Sequence, residues 1–238
     1  MAEEEFLSRA LRWDDPNRIK TIQDLYDCVD WVGFLPLFAN GVPGSSVEES
    51  TAVWDWWSED PERDPWLWRE QAAREGRVAY GKFFDGRAGF LSLSWLPVFA
   101  NARRDGYDFD ALWDDGKARW RAKRIMDCFQ EGEEHLSFEL RNMAGFGKGG
   151  EPGFEGTVTG LQHDLYLVIR DFRQRRNRRG EPYGWPITVY ATPESIWGRE
   201  TVTSAYSESP AESRRRILER ARELYPTAEE NELKKIFL

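Results

Sequence analysis

A predominantly helical α+β fold is predicted, built from two tandem winged-helix units, and three observations point to it. Residues 154–190 read as a helix, a strand, a basic loop and a second strand. The order of three helices followed by a hairpin occurs first in residues 21–94 and again from residue 117 onward, although the residues themselves do not repeat. A chain of 238 residues with twelve tryptophans and 14% aromatic content can bury a sizeable core.

The elements follow in order. Ile22, Leu25, Tyr26 and Val29 fall on one helical face, and Thr21 is placed to cap that helix. Phe34–Phe38 is a short apolar run containing Pro36, which reads as an edge strand or an extended piece. A second helix is expected from Ser46 to about Trp57, with Glu48 and Glu49 in its first turn. Asp64 followed by Pro65 starts a third helix that runs to Glu75 and stops at Gly76. Val78–Phe84 and Arg87–Leu93 flank Asp85-Gly86, a two-residue hairpin signal. Trp95–Arg103 reads as a short helix or turn, and Gly106–Gly116 as a linking segment.

Lys117–Gln130 then reads as a helix, Ser137 as the cap of a short helix ending at Met143, and Gly145–Gly153 as a loop. Phe154, Val158, Leu161 and Leu165 mark one face of the next helix. Leu165–Phe172 and Trp185–Ala191 are the strands of the second hairpin. Ser209-Pro210-Ala211-Glu212 opens a C-terminal helix, and Thr227 with Glu230 forms a capping box for the last one. The expected division is 20–105 for the first unit, 106–200 for the second and 201–238 for a helical tail.

The net charge of −9 is unevenly spread. Residues 1–76 hold 17 Asp/Glu against 7 Lys/Arg, whereas the remainder is close to neutral. Long-range attraction to a polyanion is therefore weak, and a local patch has to supply it. No apolar run reaches the roughly 18–20 residues needed to span a bilayer, and Met-Ala-Glu-Glu-Glu is not a signal peptide. A cytoplasmic protein with no membrane attachment is expected. Cys28 and Cys128 have no metal or redox spacing and read as two separately buried thiols. No cofactor or metal is expected.

The second hairpin's tip carries Arg173, Arg175, Arg176, Arg178 and Arg179, five arginines within seven residues and no acid among them. Such a wing lays guanidinium groups on phosphates or into a minor groove; it is equally what a solubilising turn contains. On the helix before it, Thr159, Gln162 and His163 share the polar face with Glu155, so base readout and an ordinary solvated face both fit. Lys148, in the glycine loop, is placed to touch a phosphate.

Trp54, Trp56, Trp57, Trp66 and Trp68 lie among acids, which favours packing over stacking on a polyanion and leaves a cationic or sugar-like ligand open. Trp56 and Trp57 are adjacent, so one is expected in the core and the other at a surface. Asp108, Asp110, Asp114 and Asp115 read as a solvated loop, with cation binding or water activation as the sharper alternative. His135 and His163 lack partners at ligand spacing, and no phosphate loop or catalytic triad is visible.

Trp56-Trp57, Val78 to Lys82, Phe90-Leu91-Ser92, Asp108 to Gly116, Lys123 to Asp127, Ser137 to Leu140 and Gly160-Leu161-Gln162 together resemble the AlkZ-related family of winged-helix proteins, over roughly residues 20–200. The resemblance implies a tandem winged-helix fold, double-stranded DNA as partner and kinship with a DNA glycosylase that removes alkylated or cross-linked bases. That enzyme family is associated with a catalytic Gln-x-Gln pair. None of Gln23, Gln71, Gln130, Gln162 and Gln174 stands at that spacing, so the catalytic carry-over fails and the catalytic residues stay unknown. Three functions follow: a DNA-binding protein related to repair, a glycosylase in which Asp114 or Glu155 replaces the glutamines, or a module binding a protein partner or a second copy through its aromatic surface.

Overall fold

A computed structural model of the chain describes residues 15–238 apart from positions 17, 59, 131 and 178. It is an α+β protein with two small antiparallel sheets. Helix α1 spans Ile22–Val32, and Thr21 and Asp24 form its reciprocal capping box. Strand β1, Phe34–Pro36, is the edge predicted for it, paired to β3 in the order β1-β3-β2. Helix α3, Pro65–Glu75, has Asp64 as its cap and Gly76 in the left-handed region at its end. Strands β2 (Val78–Phe84) and β3 (Arg87–Ser92) turn at Asp85 and Gly86, with φ of 48° and 73°. Two successive positive φ angles make the primed turn that matches the strands' twist, and the first of them falls on a non-glycine residue.

The helix expected from Ser46 to Trp57 is only Val47–Ser50 (α2). The Ser50 and Thr51 hydroxyls donate to the carbonyls of Ser46 and Val47, and Thr51 turns to extended backbone. A separate 3-10 turn at Val53–Asp55 then leads to Trp56. Helix α4 is Leu96–Arg104. The segment expected to be a loop at 106–116 contains helix α5, Phe109–Asp114, capped by Asp108 through the Ala111 N–H at 2.9 Å. The crowd of aspartates is thus cap and helix-end chemistry. Helix α6 covers only Trp120–Met126 within the run predicted from 117 to 130.

Strand β4, Glu134–Leu136, was not anticipated; it leads straight into α7, Ser137–Met143, so Ser137 is the first helical residue and not the cap. Helix α8 is Phe154–His163, and strands β5 (Val168–Arg173) and β6 (Ile187–Ala191) complete the second sheet in the order β4-β6-β5. Two short helices, α9 (Pro193–Trp197) and α10 (Arg199–Val202), precede α11, Pro210–Leu224, which Ser209 caps. The last helix, α12, starts at Glu230 without a side-chain cap, so Thr227 does not form the expected box.

Packing ties these pieces together. One apolar cluster joins Tyr26, Tyr80 and Phe90 from the first half to Phe154, Leu161 and Tyr190 from the second. Another joins Phe34 and Phe84 to Leu165, Val202, Ile217 and Phe237, so the C-terminal helices share the core. Asn101 on α4 donates to the Ala205 and Glu208 carbonyls and to Ser213 Oγ, fixing α11 against it. Arg170 on β5 donates to the carbonyls of Ala73 (2.9 Å) and Arg74, which the end of α3 leaves without intrahelical partners. Trp197 Nε1 adds a bond to the Gly76 carbonyl at 2.8 Å. Cys28 and Cys128 are separate thiols, each only partly buried.

Candidate nucleic-acid interface

The arginine-rich tip projects from β5 and β6 as an exposed, internally bonded turn. Arg176 bridges to Pro182 and its guanidinium donates to the Gly180 carbonyl at 2.8 Å. Asn177 bonds Glu181 through both backbone and side chain. These bonds hold the tip's backbone while leaving its charge outward. Arg175 extends over the Phe138 ring, 5.9 Å from its centroid. Arg175, Arg176 and Arg179 are exposed and carry no ion pair among the described residues. Arg173 differs, because Glu134 and Asp171 both pair with it and hold its guanidinium above the ordinary arginine range, Glu134 foremost. Arg178 lies outside the described residues.

Aromatic groups border this tip. Trp185 is 79% exposed, and Tyr183 and Phe138 are also open to solvent. Neither periodicity nor charge had singled them out, because Trp185 belonged to an expected strand and Phe138 to an expected helix. For Tyr183 and Trp185 the signal was closeness in sequence to the arginines, whereas Phe138 meets Arg175 only in the fold.

The polar face of α8 is arranged otherwise than expected. Gln162 is fully buried, its Oε1 accepting the Lys82 N–H at 3.1 Å and its amide donating to the Val158 carbonyl. Thr159 is half-buried, with Lys82 Nζ 3.5 Å from its hydroxyl. His163 Nδ1 lies 2.9 Å from Asp164 Oδ1. The first hairpin therefore covers the surface on which base readout was expected, and Gln162 in particular cannot reach a base. Lys148 stays exposed in the loop ahead of α8.

On the other side of α8 lies a cleft of about 860 Å³. Phe109, Tyr166 and Leu161 form its apolar wall, Gly156 and Gly160 expose the helix backbone along it, and Lys117, Arg119, Arg121 and Trp120 are also in its lining. Asp114 and Glu155, the acids weighed as replacements for glutamine, are both solvent-exposed, and no hydrogen bond orients either.

The tryptophan segment divides as its sequence predicts. Trp68 and Trp56 are in the core, the latter donating to Thr51 Oγ1, whereas Trp57 is 67% exposed at a φ of 55°. Phe38, Trp56, Trp57 and Trp66 touch in series, and the Arg69 guanidinium sits between Trp66 and Phe172 at 3.7 and 4.3 Å from their centroids. The cation that such a cage would take is already supplied from within the chain.

Among the described residues no helix is long and apolar enough to cross a membrane. The fold is thus an α+β chain bearing an arginine-tipped hairpin, with two apolar clusters that each join its two halves. Residues 19–238 match the family model described as AlkZ related, and the chain belongs to that family. No curated protein and no solved structure matches it.

Proposed function

We propose that this chain is a double-stranded DNA-binding protein associated with DNA repair. Two winged-helix units, at 20–105 and 106–200 with the tail 201–238, form the scaffold, and the second unit's wing makes the contact. The observation that carries this reading is the tip's unspent charge: Arg175, Arg176 and Arg179 are exposed with no carboxylate paired to any of them. Arginines free of internal ion pairs lose no partner when they meet a phosphate. Family membership supplies the repair context. Because Gln162 is interior and Thr159 faces the first hairpin, the contact is made to the backbone and carries little base preference. Lys148 stands ready as a further phosphate contact.

Each arginine neutralising a phosphate contributes about 0.9 to the slope of log K against log salt. Fluorescence anisotropy with a labelled duplex at several salt concentrations, for the wild type and for Arg175→Ala/Arg176→Ala, tests the reading. The double variant is expected to lower the slope by about 1–2. Equal slopes would exclude the wing.

The second reading, a protein-interaction module or a homodimer, is favoured by the exposed Trp31, Trp54 and Trp57 on the acidic third of the chain. Absence of duplex binding at low salt, with concentration-dependent size by light scattering, would establish it in place of the first.

A further inference from the structure

We infer that the cleft between α5, α6 and α8 binds a nucleotide, with its phosphate at Arg119 and its ring over the bare glycine face of α8. This site is separate from the wing and does not depend on the wing's role.

The cavity, about 860 Å³, lies in the range of small-molecule sites, roughly 300–1,000 Å³. Its charges are unequally spent. Glu151 is paired with Arg121 at 3.3 Å and Lys117 lies 3.7 Å from Asp115, while Asp164 Oδ1 is hydrogen-bonded to His163 Nδ1 at 2.9 Å. Arg119 is exposed, lines the cleft and has no side-chain hydrogen bond or ion pair among the described residues. Of the cations in the lining, Lys117, Arg119 and Arg121, it is thus Arg119 that has no carboxylate partner among the described residues, and a guanidinium suits a phosphate through two parallel hydrogen bonds. Close by, the first turn of the ten-residue helix α8 has no side-chain cap, and its N-cap Gly153 and its Gly156 both line the cleft. Uncapped backbone N–H groups reinforce the preference for an anion.

The glycines bear on the rest of the ligand. Gly156 and Gly160 sit inside α8 at ordinary helical angles, and a Cβ at either would meet nothing within 4 Å. Neither packing nor backbone strain requires glycine there, although glycine disfavours a helix interior. Both border the same cleft as the Phe109–Tyr166 aromatic pair, whose centroids are 5.1 Å apart. A flat ring can approach the helix backbone over glycine and meet the aromatic wall, which neither inorganic phosphate nor an aliphatic phosphate exploits.

Isothermal titration of the full chain with dAMP, dTMP, inorganic phosphate and 5′-phosphorylated tetrathymidylate tests the inference. Saturable one-to-one binding of the nucleotides is expected, tighter than phosphate alone by at least about tenfold. Arg119→Glu and Gly160→Leu should each weaken it at least about tenfold while circular dichroism stays unchanged. Arg175→Ala/Arg176→Ala should leave it unchanged, so failure of the wing and failure of the cleft are seen separately. Tighter binding of the tetranucleotide than of dAMP identifies a strand end as the ligand's source, and the reverse identifies a free nucleotide. No saturable binding at millimolar nucleotide, equal affinity for inorganic phosphate, or wild-type affinity in both cleft variants would each overturn it.

Discussion

Gln162 Oε1 accepts the backbone N–H of Lys82 at 3.1 Å, across eighty positions of sequence. The register of β2 against β3 shifts between Gly81 and Phe84, so the ladder gives Lys82 no partner. The glutamine amide replaces that missing bond and joins α8 to the first sheet.

Gln162→Leu keeps the apolar contacts but strands the Lys82 N–H. It is expected to cost about 1–3 kcal/mol, the penalty for an unsatisfied buried donor. Urea unfolding should show a lower midpoint with unchanged slope, and duplex binding should persist in the folded protein. A midpoint equal to the wild type would assign the bond no weight.

Arg173 separates ion-paired from free arginines within one hairpin. Its guanidinium is committed to Glu134 and Asp171, so Arg173→Ala should change the DNA salt slope by less than about 0.5, against about 0.9 for Arg179→Ala. Anisotropy over a salt series distinguishes the two; equal slopes for both variants would contradict the distinction.

Gly160→Ala should stabilise the chain by about 0.5–1 kcal/mol, because the added Cβ enters open space on a regular helix. Gly33→Ala should do the opposite. Gly33 has φ +97°, and its Cβ would lie 2.5 Å from the Trp95 ring. Melting temperatures of the two variants should move in opposite directions, by about 2–4 °C per kcal/mol for a chain of this size.

Glu230 accepts from Arg222 at 2.6 and 2.9 Å and from Lys234 at 3.2 Å, and these partners, Arg222 first, bring its pKa down to about 2. Because the folded value lies below the ordinary carboxylate value, the contribution is complete above about pH 4.5 and is lost as the pH falls toward 2. Glu230→Gln should flatten the acid limb of a stability-against-pH curve over that window. The group is exposed, so the difference should shrink in high salt. An acid limb identical in both proteins would show that the pairing has no energetic weight.

Much of the local structure was legible because single residues announce it. Thr21 and Asp64 cap the helices predicted for them, and Asp85-Gly86 makes the turn its dipeptide encodes. Reading failed where two local signals compete. Ser50 and Thr51 end a helix by bonding back to its carbonyls, although the flanking pattern continues it. Glycines 106 and 116 look like a loop but merely flank the helix that Asp108 caps. The burial of Gln162 could not be read at all, since a glutamine on a helix's polar side announces solvent until a distant strand defect claims it. For the candidate site, the arginine tip was visible as composition. The fact that Arg173 differs from its neighbours depends on β4, a three-residue strand too short to leave a pattern.

Arg170 and Trp197 fasten the end of α3 to the second hairpin's supporting structure. The first half and the second hairpin are thereby tied by hydrogen bonds at the end of one helix. On the proposed wing contact, a duplex meets a hairpin anchored to the first half of the chain, so part of the fit falls to the duplex's own curvature. DNA already bent or softened by damage conforms at less elastic cost than intact duplex. Selectivity for such sites can then arise from stiffness alone, without any residue that recognises a lesion.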